Sequence, residues 1–199
     1  MDLVDAFQTF QSASAAERLS AAGAFLGRFA PDTEVLIVGA SRDAADDLAR
    51  RVTATRGATF GLHRVSLTQA AVRLAAIEMA RRSLAPATAL GANALAARVS
   101  FEAERQRALG YFAPVARFPG FARALAATLG ELRLGQVASG GLDALGRPGR
   151  DVAELARRFE AELSAGKIAD RAALLALATL AARAETRSEE RRVGKECRL

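Results

Sequence analysis

Residues 34–38, Glu-Val-Leu-Ile-Val, make a short β-branched and aliphatic run that Gly39-Ala40-Ser41 closes. A run of this kind bounded by a turn reads as a strand buried on both faces, the habit of parallel sheets. A helix follows: Ser41 is placed to cap it, and Asp43, Asp46 and Asp47 complement the positive end of its dipole. The helix runs to about Thr53, Thr55-Arg56-Gly57 breaks it, and residues 58–62 offer a second short strand. Strand, helix, strand in this order predicts a crossover between parallel neighbours.

Ahead of that unit, Leu19, Ala22, Phe25, Leu26 and Phe29 recur at helical spacing over residues 15–29, and Pro31-Asp32 ends the run. Behind it, Ser66 or Thr68 caps a helix to about Arg82, and Pro86 separates it from the next. From Leu90 onward nothing reads as a strand. Helices are expected at about 89–109, 119–134, 151–165 and 170–185, with Asp151 and Asp170 as N-caps and Glu154 completing a capping box. The Gly-rich residues 138–150 are the clearest internal loop. The fold class expected is therefore α/β, mostly α by content: a partial parallel sheet in residues 1–83, then an all-helical block in 84–186. Two buried parallel strands need neighbours, so further strands are expected outside this sequence.

Residues 187–199 differ in composition from all that precedes them, holding Cys197, the sole cysteine, and Lys195, one of two lysines. Residues 187–197 resemble the in-frame translation of a sequencing-adapter oligonucleotide. The resemblance implies an artefactual or disordered tail, and a natural chain that continues past about Thr186.

The longest apolar runs, 35–38 and 174–178, are far below the roughly 20 residues of a membrane helix. Met1-Asp2-Leu3-Val4-Asp5 carries acid where a secretory signal carries base, so a cytoplasmic location is expected. One cysteine and one histidine, His63, leave little for a structural metal. The formal charge is +6, almost all on arginine; without the last thirteen residues, 23 basic and 19 acidic residues remain. An excess of that size favours a polyanionic partner only weakly.

Strand, glycine, helix invites a phosphate-binding reading. Counting the phosphate-loop pattern from Gly39 puts Ala44, Ala45 and Asp46 where Gly, Lys and Ser/Thr belong, and Ser41 and Ala44 replace the second and third glycines of a dinucleotide fingerprint. Lys167 and Lys195 lack the acid two places earlier that a restriction-type nuclease core requires. His63 has no partner placed by spacing to make it a general base. Arg42, Arg50, Arg51, Arg56, Arg64 and Arg73 gather around the expected strand ends, where Ser41, Ser66 and Thr68 supply hydroxyls, a combination suited to a phosphodiester backbone or to a solvated, capped face. Phe112, Phe118 and Phe121 either stack bases or pack in the core.

The succession EVLIVGASRDAADDLARRV, ATFGLHRVSLTQAAVRLA, ALGYFAPVARFPGFARALAATLGELRLGQV and GRDVAELARRFEAELSAGKIADRAALLALA resembles the N-terminal region of one family of DNA-processing subunits. These are the exodeoxyribonuclease V gamma-like subunits of the bacterial ATP-dependent helicase/deoxyribonuclease. The resemblance spans most of residues 15–180 and rests on the order and spacing of segments. It implies a helicase-like fold, with a PD-(D/E)XK nuclease using Mg2+ further along the parent. It places Gly39-Ala40-Ser41-Arg42 at a turn that touches single-stranded DNA. It also sets Ser66-Leu67 at the start of the next DNA-facing segment, although Leu67 departs from the family's aromatic. The family's phosphate loop would precede the first helix, where QTFQSASAAERL holds no Gly-Lys-Thr.

The expected role is thus a helicase-like portion of a DNA double-strand-break repair protein, holding no cofactor itself and hydrolysing neither ATP nor DNA. Its DNA contacts would be Ser41, Arg42, Arg64, Ser66 and Thr68, and its partners single-stranded or end-processed DNA and a helicase subunit. The alternatives are a stand-alone helical interaction module and a Rossmann-like nucleotide-binding enzyme using Gly39.

Overall fold

The structure, a computed structural model, describes residues 8–196. It is mostly helical, with two small parallel sheets of two strands each. Two compact units divide the chain, Met1–Ala70 and Ala71–Leu199, so the boundary falls inside a helix rather than at 83/84.

In the first unit, α1 (Ala15–Leu26) starts at Ser14, whose hydroxyl accepts the Glu17 N–H. Strand β1 (Val35–Gly39), helix α2 (Arg42–Arg56) and strand β2 (Leu62–Ser66) then form the expected parallel crossover, in register from Val35 opposite Leu62 to Gly39 opposite Ser66. Ala45, Ala49 and Val52 recur at helical spacing and lay one face of α2 on Ile37, with Leu26 closing the cluster. Small residues on that face let helix and sheet approach closely.

The second strand begins four residues later than the apolar pattern suggests. Gly61 has φ +79°, and a side chain there would crowd Thr33 O at 3.0 Å and Glu34 Cα at 3.1 Å. Phe60 N–H donates to Pro31 O at 2.8 Å and Val35 N–H to Gly61 O at 3.0 Å. Residues 58–61 are therefore a connection tied to the loop before β1. The apolar run that looks like a strand ends where the strand starts.

Helix α3 (Leu67–Arg81) carries the unit boundary. In the second unit, Ala71, Ala75 and Met79 of α3 pack with Leu174, Leu177 and Ala178 of α8 (Arg171–Glu196). The main core lies among α4 (Ala89–Arg105), α5 (Pro119–Leu134) and α7 (Gly146–Ala165), through Val99, Leu125, Leu129, Leu155 and Phe159.

Three expectations for this unit need correction. It is not all-helical: β3 (Ala85–Pro86) pairs in parallel with β4 (Ile168–Ala169), Ala85 N–H and Ala87 N–H donating to Lys167 O and Ala169 O. Pro86 has no N–H to give, and the pairing uses its neighbours' donors instead. The expected loop 138–150 is largely helical, with α6 (Ser139–Leu142), a 3-10 turn at Asp143–Leu145 and the first turn of α7. A side chain on Gly149 would collide with Leu142 O, so the glycine that suggests a loop serves close packing. Asp151 consequently lies inside α7 and caps nothing there.

Asp170 does cap its helix, accepting Ala173 N–H at 3.0 Å. It also receives Arg133 Nε at 2.5 Å and Nη2 at 3.2 Å, joining α5 to α8. The Asp170 hydrogen bonds raise the Arg133 guanidinium above its ordinary value against the opposing cost of burial. The backbone of α8 stays helical beyond residue 185, where the periodicity suggests an end. Residues 1–7 and 197–199, with the N-terminal acidic pattern and Cys197, lie outside the described residues. No helix among the described residues is long and apolar enough to cross a membrane.

Candidate functional site

The carboxy-terminal end of the β1–β2 pair gathers the residues expected to face DNA. Gly39 makes the turn into α2 tight: an added Cβ would sit 2.7 Å from Ser41 O and 3.0 Å from Ala45 N. Ser41 is extended, φ −132° and ψ 165°, and its Oγ accepts Ala44 N–H at 3.1 Å. On the neighbouring strand Ser66 Oγ accepts Gln69 N–H at 3.2 Å while Gln69 Oε1 accepts Ser66 N–H at 2.9 Å, a reciprocal capping box. Both serine hydroxyls thus serve helix starts. Thr68, in the first turn of α3, is exposed.

Arg42 and Arg64 meet through one acid. Arg42 Nε lies 3.4 Å from Asp46 Oδ2, and Arg64 Nε, reaching from β2, lies 3.5 Å from Asp46 Oδ1. That Oδ1 is buried and accepts no hydrogen bond among the described residues. Two half-exposed cations sharing one carboxylate leave one positive charge in excess, with exposed Asp43 close along the chain. Both guanidiniums are themselves half-exposed, so each can turn from Asp46 toward another anion.

The wider arginine cluster does not assemble. Because α2 runs antiparallel to the strands, its later residues recede from this end. Arg56 donates to Leu26 O at 3.0 Å and Phe29 O at 2.8 Å, bracing α1 against α2. Arg50 pairs with Asp47, and Arg73 belongs to the second unit.

The turn does not fit a nucleoside triphosphate. Ser41 Oγ is committed to its cap, and Asp46 stands with its two arginines where a phosphate loop needs a hydroxyl. The His63 side chain is exposed on β2 and makes no hydrogen bond or ion pair among the described residues. No group of three or more His, Cys, Asp or Glu among the described residues is arranged to hold a metal ion.

A second set of residues gathers where local spacing gives no hint. The Asp151 carboxylate, 6% exposed, accepts main-chain N–H groups of Gly110, Tyr111 and Phe112 at 2.8–3.1 Å. These bonds fix the connection between α4 and α5. Phe112 and Phe121 turn toward each other, ring centroids 5.5 Å apart, and Phe121 packs on the core. Tyr111 and Phe118 are 55% and 52% exposed, and Arg117 lies over the Phe118 ring at 5.3 Å. The three phenylalanines therefore divide, two inward and one outward. A sequence signal for this surface exists: from Arg105 to Gly130 the chain has four arginines and no acid.

No family model matches the chain, and no match is found among curated proteins.

Proposed function

We propose that this chain is the non-catalytic, helicase-like front of a DNA-processing helicase/nuclease subunit. It holds a DNA strand and docks further protein while the chemistry is done elsewhere in a cytoplasmic, Mg2+-dependent parent. The observation carrying this reading is the unfinished parallel unit β1–α2–β2, with a tight glycine turn at its binding end and no phosphate-loop triad. Val35 gives its N–H to Gly61, so the two-residue repeat turns the main-chain groups of Leu36 and Val38 toward the open edge. Their side chains are 57% and 45% exposed, unlike strands of a completed parallel sheet.

At the binding end, Arg42 and Arg64 contact phosphate by exchanging Asp46 for it. Binding of a labelled oligo(dT) 20-mer tests this: affinity falls with salt, and Arg42→Ala with Arg64→Ala weakens it about tenfold. Unchanged affinity in the double variant contradicts a strand-end DNA site. Mg-ATP gives no thermal stabilisation on this reading; a clear upward shift in Tm would favour the nucleotide-enzyme alternative.

One observation favours the interaction-module reading. A groove of about 880 Å3, lined by Phe10, Phe25 and Leu36 among others, runs between α1 and β1. It suits an apolar protein segment and needs no nucleic acid.

A further inference from the structure

Six arginines in and around the α4–α5 connection and at the start of α7 have no acid paired with them among the described residues, as Arg51, Arg73 and Arg171 also do not, and here they gather near two exposed aromatic rings. Arg105, Arg107, Arg117, Arg123, Arg147 and Arg150 are all exposed and form no ion pair among the described residues, whereas Arg42, Arg50, Arg64, Arg98, Arg157 and Arg158 all do. Glu102, Glu104, Asp143 and Asp151 are the nearest acids in sequence, four against six, and of these Glu102 pairs with Arg98 while Asp151 accepts main-chain N–H groups. Asp151 brings the two stretches together, because it binds Gly110 to Phe112 from within the first turns of α7. Arg147 Nη2 accordingly comes within 3.8 Å of where a Gly110 side chain would begin.

We propose that this end of the second unit binds a single strand of DNA, with bases stacking on Tyr111 and Phe118 and phosphates held by the surrounding arginines. Charge alone would suit any polyanion; the exposed rings select a partner with accessible π faces, which a duplex keeps internal. The loop is already ordered before binding. Asp151 fixes one side of it, and buried Leu109 and Ala116 anchor it to the core, so little conformational freedom is lost on association. Arg117 over Phe118 is a ready-made stacking pair whose guanidinium also reaches solvent. The surface lies wholly in Ala71–Leu199 and is independent of the strand-end contacts; only the choice of DNA over RNA rests on the helicase/nuclease reading.

The test uses the whole chain and a labelled oligo(dT) 20-mer across a salt series. Tyr111→Ala with Phe118→Ala is expected to weaken binding about tenfold with the salt slope unchanged, as loss of stacking requires. Arg107→Ala with Arg117→Ala is expected to weaken it and flatten the slope by about 1.4, for two lost phosphate contacts. Tyr111→Phe with Phe118→Tyr keeps the rings and should bind as the parent does, which separates stacking from misfolding. The proposal is overturned if the alanine pair at 111 and 118 binds normally. It is also overturned if duplex, oligo(U), polyglutamate or anionic phosphatidylserine vesicles bind as tightly as oligo(dT). Sensitivity to Arg42→Ala and Arg64→Ala alone removes this surface and leaves the strand-end site; sensitivity to the loop variants alone does the reverse.

Discussion

The carboxylate of Asp151 accepts the main-chain N–H of Tyr111 at 2.8 Å across forty residues of chain, and with Gly110 and Phe112 it satisfies three consecutive donors. Charge-assisted bonds to a buried acceptor are among the stronger ones, and losing the acceptor strands the donors. Asp151→Asn keeps the shape but turns one oxygen into an amine facing N–H groups. We expect a loss of about 2–4 kcal/mol in urea unfolding. Hydrogen exchange at 110–112 should accelerate; unchanged exchange there would contradict the anchoring role.

Gly39 and Gly130 make a matched contrast. A Cβ on Gly39 meets Ser41 O at 2.7 Å, and one on Gly130, inside α5, meets nothing within 4 Å. Gly39→Ala should destabilise by about 1–3 kcal/mol through backbone displacement. Gly130→Ala should stabilise by about 0.5–1 kcal/mol through helix propensity. Thermal or urea unfolding of the two variants checks both signs.

Asp170 has two duties that substitution can separate. Asp170→Ala removes both the α8 cap and the Arg133 partner, with an expected cost of about 3 kcal/mol. Asp170→Ser keeps a capping oxygen and loses only the ion pair, so its cost should be smaller by about 1 kcal/mol. Equal losses would show that the cap contributes nothing.

Glu154 introduces a pH dependence with a definite sign. Hydrogen bonds from Arg158 and then Arg157 hold its carboxyl below the ordinary 4.5, against the opposing cost of burial. A depressed carboxyl contributes stability that is complete above about pH 4.5 and is lost as pH falls through the folded-state value. Glu154→Gln should therefore lower stability at pH 7 and leave a flatter profile below pH 4.5, read from urea midpoints.

The parallel crossover is legible in the sequence because its determinants are local: the 35–38 run, the glycine turn and the Ser41 cap lie within a few residues of one another. Ser66 and Asp170 are legible as caps for the same reason. The start of β2 is not, because Phe60 looks like a strand residue, while the positive φ that precedes the strand belongs to Gly61 and depends on Thr33 and Glu34. Asp151 misleads because an acid ahead of a periodic apolar stretch has the local appearance of a cap. Its real donors lie forty residues upstream, which spacing along a helix cannot reveal. At the strand ends the expected residues do come together, but Asp46 engages both arginines that the sequence assigns to phosphate.

The most direct test of the helicase/nuclease reading is the coding DNA past the codon for Thr186, with adapter sequence removed from the reads. An open frame is expected to continue for hundreds of residues and to end in an Asp followed by an acid-x-Lys pair. A stop codon directly after that position would contradict the reading and leave the chain as a small interaction module.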